Sequence, residues 1–360
     1  MKAFPYALAY IYPLCTVLGF LLGDLWTFAG VFFLFVMTPI MDELSGSKEG
    51  NPSEKEEQRN KTSWTFDFWL WLWLPTQLAI MVFGAYKVGF DSITTLEFIG
   101  ISLSTGIVTG GIGITIAHEL MHRQGSFERA IAEILMTSVS YTHFCIEHVY
   151  GHHRNVATPE DPATSRFGES VYQFLPRTLF GTLKSAWVLE RDRCQRTNIH
   201  ALSLKNKRFR HALFLGIVYG FLALFTNWFV LAYFVIQSFI AVFLLEVINY
   251  VEHYGLQRRL LESGRYERVL PKHSWNSTHR LTSFYLFNLP RHADHHYLAS
   301  RPYYNLRHME DSPQLPAGYA TMLILALFPP LWKKIMDPRV KAWNAIESTI
   351  KAPKDLVSMS

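Results

Sequence analysis

Nine of the 15 histidines fall in four short runs whose spacing suits metal coordination. His118 and His122 lie in HELMH, and His148, His152 and His153 in EHVYGHH. His292, His295 and His296 lie in RHADHH, and His253 stands alone in NYVEHYG. Helical residues three or four apart share a face, so each run can aim two or three imidazoles at one place. Imidazole is a donor for iron, copper, nickel and zinc. HELMH alone would suit a hydrolytic zinc site with Glu119 as general base for peptide cleavage. That reading leaves most of the other histidines unused. Nine imidazoles are too many for one ion, and two metals with about four or five donors each are the natural partition. Neutral histidines leave the metal charge uncompensated, so nearby carboxylates are expected to orient the rings. Glu119, Glu147, Glu252 and Asp294 sit inside the runs, and His273 and His279 in HSWNSTH are further candidates for that role. His143, His200, His211 and His308 lack a partner at helical spacing and read as ordinary histidines.

The elements that must position these residues are apolar. The chain has 360 residues, 49% hydrophobic and only 18% charged, against about 25% charged in soluble proteins. Stretches long enough to cross a bilayer lie at 5–23, 25–41, 66–88, 94–117, 211–226 and 228–251. Their tight turns fall at Gly23-Asp24, Gly89 to Asp91 and Thr226 to Trp228. This predicts an all-α integral membrane protein with six transmembrane helices. Lys and Arg gather in 48–61, in 123–210 and after 252, so these segments and both termini are expected in the cytoplasm. The first span lacks a clear cleavage site and reads as an anchor rather than a signal peptide. The polar segment 43–63 reads as a mobile loop, 128–146 as one interfacial or cap helix, 315–332 as too short and proline-broken to span, and 351–360 as a tail. One domain, 1–360, results: a six-helix bundle with a cytoplasmic cap from 123–210 and 252–345. His118 and His122 close the fourth span and His253 the sixth at the same depth, so all nine histidines can converge at the membrane–cytoplasm boundary. The net charge of +5 follows from this positive-inside bias and needs no nucleic-acid partner. Cys15, Cys145 and Cys194 form no C-x-x-C pair, which argues against a disulfide framework or a cysteine-built metal site.

HELMHR, EHVYGHHRNVATPEDPATSRFGES, NYVEHYGL and LPRHADHH together resemble the bacterial alkane 1-monooxygenase (alkane ω-hydroxylase, AlkB) family of the membrane di-iron superfamily that includes the desaturases. The likeness runs from about Trp64 to about Trp343. NYVEHYGL discriminates, because it supplies the ninth histidine. Pro290 and Ala293 stand where the family often has Gln and Ser. The resemblance implies two iron ions held by His118, His122, His148, His152, His153, His253, His292, His295 and His296. It implies conversion of an alkane, O2, two electrons and two protons into a primary alcohol and water. It also implies rubredoxin, separate or fused, as electron donor, reduced in turn by an NADH-dependent reductase. The chain itself carries no flavin, haem or nicotinamide fingerprint.

The n-alkane would enter from the bilayer. Above His118 on the same helix face lie Ile114, Gly111, Gly110 and Ile107, where glycine serves either close helix packing or room for a slim chain. Leu34 on the second span is a candidate for the far end of the cavity. Asn249 and Glu246 lie above His253 and should face the interior as partners of the histidines. Lys205, Lys207, Arg208 and Arg210, or Arg191, Arg193 and Arg196, offer faces for an acidic rubredoxin. An acyl desaturase or a xylene- or terpene-type hydroxylase would share the same site. A histidine-rich metal transporter would spread its ionisable residues through the spans, whereas here they gather at one edge.

Overall fold

The structure is a computed structural model that describes residues 3–349. Six helices are long and apolar enough to cross a membrane: Phe4–Leu22, Asp24–Ser45, Trp64–Phe90, Thr95–Met121, Lys207–Phe225 and Trp228–His253. Among the described residues there are isolated β-bridges but no strand. The predicted spans therefore stand, with ends that move by a few residues. The fourth runs on through His118, and the sixth carries His253 as its last residue.

The fourth span is the central one. It starts on a capping box, in which Thr94 accepts from the Glu97 amide and Glu97 from the Thr94 amide. The same Glu97 side chain accepts from the Asp24 amide at 2.9 Å. This ties the capping box to the first hairpin turn, where Gly23 takes φ +73°, a region open to glycine. Small residues then bring neighbours close. A Cβ on Gly106 would lie 2.6 Å from Ile240, and one on Gly110 would lie 2.5 Å from the Ala241 backbone. The fourth and sixth spans thus touch backbone to backbone, as small residues permit.

Three segments depart from α-helical winding into π-helix: Phe33–Met37, Val108–Ile114 and His148–His152. Such single turns recur at functional sites, and each of these holds residues singled out above.

Two readings need correction. Segment 43–63 is not a loose loop. Glu54–Lys61 is a helix with a Ser53–Glu56 capping box, acidic residues in its first turn and basic ones in its last, charges that suit the helix dipole. Arg291 donates to the carbonyls of Lys48 and Gly50 at 3.0 Å each, and buried Asn60 bonds Asn305. Second, 128–146 is two helices. Ser126–Ser138 ends before Ser140, which takes φ +58°, and Phe144–Glu147 leads straight into His148. As expected, 315–332 is broken and is not among the six spans: it holds Tyr319–Ala326 and the start of Pro329–Thr349, whose Trp332 packs on Tyr250 and Tyr254. The expected tail 351–360 lies outside the described residues.

Ser126–Ser138 is locked to the fifth span through Glu133. Arg210 lies 2.5 Å from its carboxylate and His211 3.8 Å. Burial alone would raise this carboxyl, but His211 and Arg210 outweigh burial and hold it at about 2. A depressed folded-state value means the pair stabilises fully above the unfolded carboxyl range, with the gain lost as pH falls towards about 2. Glu133→Gln should cost about 2 kcal/mol at pH 7 and almost nothing below pH 2. Thermal unfolding in detergent at the two pH values measures the difference.

Candidate metal centre

All nine histidines of the four runs come together, in two groups. His118, His122, His148, His153 and His295 place one ring nitrogen each within 4.8 Å of one another, and so do His152, His253, His292 and His296. In the first group the His153 Nε2 is 3.0 Å from the Nε2 atoms of both His148 and His295. In the second, His292 Nε2 is 3.2 Å from His253 Nε2 and 2.9 Å from His296 Nε2. The groups abut, with the His153 and His296 rings 4.5 Å apart.

The winding of the chain decides the partition. His148 would share an α-helical face with His152, four residues on. Over His148–His152 the helix is π-wound, so its hydrogen bonds close over five residues rather than four and the side chains are rotated from α-helical register. His148 therefore meets His153, and His152 points into the other group. In RHADHH the ordinary spacing holds: His292 and His296 pair, and His295 reaches the first group.

The donor chemistry fits metals. Burial and neighbouring imidazoles hold His148, His153, His292, His295 and His296 well below the ordinary histidine range, hence neutral. The Nε2 atoms of His118, His122 and His152 are buried without a hydrogen-bond partner. Buried nitrogens that converge without protons to share are costly unless a cation binds them.

His152 is held differently. Its Nδ1 donates to Asp161 Oδ2 at 2.8 Å, and Asp161 also accepts from Thr164 and the Ala163 amide. Burial lowers the His152 imidazolium range, but Asp161 more than restores it. With Nδ1 protonated, Nε2 is a lone pair aimed at the second group. The sequence reading missed Asp161: it lies nine residues from His152 across a loop, beyond any helical spacing. Its signal was the PEDP that follows EHVYGHH. An Asp161→Asn variant should lose roughly 10- to 100-fold in metal affinity, read as metal retained against a chelator.

The expected orienting groups divide. Glu252 touches a ring of the nine, its Oε2 lying 3.3 Å from His292 Nε2. Glu119 instead binds Arg123 and the Tyr303 amide. Asp294 binds Arg301 and Arg307, so both carboxylates pin loops rather than rings. Glu147 is buried beside the His152–Asp161 pair, and burial and the Asp161 charge push it up to about 8. Asn249 bonds Glu246, which accepts from Tyr141 and Thr178, so neither orients a histidine. His273 bonds Glu267 and the Leu270 amide, and His279 pairs with Ser277 and Glu43, so these rings serve the cap instead.

An apolar cavity ends at both histidine groups. Leu34, Ile107, Gly110, Gly111 and Ile114 all border it, as do His118, His148, His292 and Asn249. The two roles offered for the glycines separate here. Gly110 is packed against Ala241, whereas a Cβ on Gly111 would meet nothing within 4 Å.

Comparison with known proteins gives the family of the chain. The fatty acid desaturase family profile matches residues 95–326. Alkane 1-monooxygenase 1 of Pseudomonas aeruginosa is 43% identical over 89% of this chain and 85% of its own length. The chain belongs to the alkane 1-monooxygenase family. Alkane 1-monooxygenase 2 of Alcanivorax borkumensis is 40% identical over 89% of this chain and 84% of its own. More distant is the hydroxylase component of the xylene/toluene monooxygenase of Pseudomonas putida, 26% identical over 96% and 90%. An alkane 1-monooxygenase family member is a multi-pass membrane monooxygenase, which agrees with the six spans and with the metal-binding geometry at their ends.

Proposed function

We propose that this chain hydroxylates the terminal carbon of n-alkanes, with one iron in each histidine group. In balanced form, R–CH3, O2, two electrons and two protons give R–CH2OH and H2O. The observation that carries this reading is the apolar cavity that ends at the two groups. An alkane offers no polar handle, so shape alone must present its methyl end. Leu34, Ile107, Ile114, Leu244, Ile248 and Leu323 supply apolar walls along the cavity. Bound iron supplies the redox chemistry that activates O2 and attacks an unactivated C–H bond, which no acid–base group in the cavity can do. The protein's part is the apolar cavity and the burial that holds His148, His153, His292, His295 and His296 neutral.

The reading places the enzyme in the bacterial inner membrane with both termini cytoplasmic, and its electrons come from rubredoxin. Arg210, Arg193 and Arg191 are paired with Glu133, Glu190 and Asp192 and Lys207 and Arg208 are half-buried, which leaves Lys205 and Arg196 as exposed cations for an acidic partner. Turnover should then fall steeply as salt rises.

The test is a product assay with n-octane, NADH, rubredoxin, its reductase and 18O2. 1-Octanol that carries 18O supports the reading. No alcohol, in a preparation that still desaturates an acyl lipid or hydroxylates xylene, keeps the metal site and overturns the alkane assignment.

A further inference from the structure

The two histidine groups are unequal: one offers five nitrogens, the other four. Beside the smaller group lies a buried carboxylate, one oxygen of which faces its histidines. Glu252 is 2% exposed. Its Oε1 accepts from the Tyr319 hydroxyl at 2.8 Å. Its Oε2 is 3.3 Å from His292 Nε2, the same nitrogen that lies 3.2 Å from His253 Nε2 and 2.9 Å from His296 Nε2. If these nitrogens face a metal, each Nε2 is a lone pair and none can donate to the carboxylate. Three lone pairs and a carboxylate oxygen would then converge with no proton among them. Only a cation at that point makes the arrangement favourable.

We propose that Glu252 is a ligand of the metal in the four-histidine group, an oxygen donor that brings this group to five donors like its neighbour. The assignment rests on the reading of the groups as iron sites. Glu252, His292 and Tyr319 all border the cavity, so the oxygen enters from the substrate side. The consequence is two chemically distinct irons, one with imidazole donors from the chain and one that also carries an anionic oxygen. Carboxylate is a harder donor than imidazole, so this iron is the one whose higher oxidation state the protein favours. Tyr319 is a positioning residue: its hydroxyl fixes one oxygen so that the other points at the histidines.

The experiment is 57Fe Mössbauer spectroscopy of the full chain, with iron counted during chelator challenge. Wild type is expected to show two quadrupole doublets of equal area. In Glu252→Gln and Glu252→Ala one doublet should shift and the other stay. The iron with the shifted doublet should be lost at roughly tenfold or more lower chelator concentration. The unmoved doublet certifies that the variant is folded. In Tyr319→Phe the carboxylate remains but is no longer held by the hydroxyl, so the same doublet should shift by less than in Glu252→Gln and the other should stay. Two unmoved doublets and unchanged retention in both Glu252 variants overturn the proposal while the iron reading stands. So does a Tyr319→Phe spectrum identical to that of Glu252→Gln, which would make the effect one of packing. Wild-type protein that binds no iron overturns the iron reading and the proposal with it. Should neither Glu252 variant accumulate, wild type labelled with 13C-carboxyl glutamate decides. Metal loading must shift a labelled carboxylate band in the infrared difference spectrum, and unshifted bands overturn the proposal.

Discussion

His253→Ala will lower alkane turnover by at least about 10³-fold, as loss of one member of a tightly acting catalytic unit does, and will cut bound iron from two to one. The position ends the sixth span, so the helix itself fixes the depth of the ring. Its Nε2 lies 3.2 Å from that of His292, and its ring centroid is 4.9 Å from that of His152. Removal leaves His152, His292 and His296 with a gap that no other histidine can fill. The five-histidine group shares none of these rings and should keep its metal. Iron analysis and turnover on the same sample separate the outcomes. A variant that keeps two irons and full activity would show that the lone histidine is not a ligand. Equal loss of both irons would show that the groups do not load independently.

Gly111→Leu will change the substrate profile without harming the fold. The space beyond its Cα is open, and that space is cavity. A leucine side chain placed there occupies volume that a long alkane needs. Long substrates should lose about 2–3 kcal/mol of productive binding, roughly 30- to 150-fold in kcat/KM, while the shortest lose little. Gly110→Ala is the contrasting variant. Its Cβ would press on the Ala241 backbone at 2.5 Å, so it should lower thermal stability and activity on every chain length alike. Competition between alkanes of graded length, with thermal unfolding of both variants, reads the difference. An unchanged profile in Gly111→Leu would mean that the alkane does not pass this face.

The spans were legible because each is apolar over a bilayer's depth, and HELMH because its i, i+4 pair lies on regular helix. The second run was legible as a metal-binding cluster but not in its partition. Spacing rules assume α-helical winding, and a π-turn over His148–His152 exchanges the roles of His152 and His153. Carboxylates were misplaced for a related reason. Glu119 follows His118 directly and so points about 100° round the helix, towards Arg123 and Tyr303 rather than the metals. Asp161, which does hold a ring, sits where the chain has no periodicity to read. Segment 43–63 looked solvated because its partners, Arg291, Asn305 and Arg301, lie some 240 residues away in sequence.

That distance sets a timetable for the newborn chain. Arg291 closes on the carbonyls of Lys48, Gly50 and Leu306, and the Thr282 amide closes on Asp42. The segment just beyond Arg291 delivers His292 and His296 to one group and His295 to the other. Neither group is finished until RHADHH has left the ribosome and docked on a segment made long before. Contacts so remote form late, because the loop they close must first be ordered. On the function proposed above, both metals are acquired only after synthesis has passed residue 296, by an otherwise assembled membrane bundle, and the nascent protein is born without the means to activate oxygen.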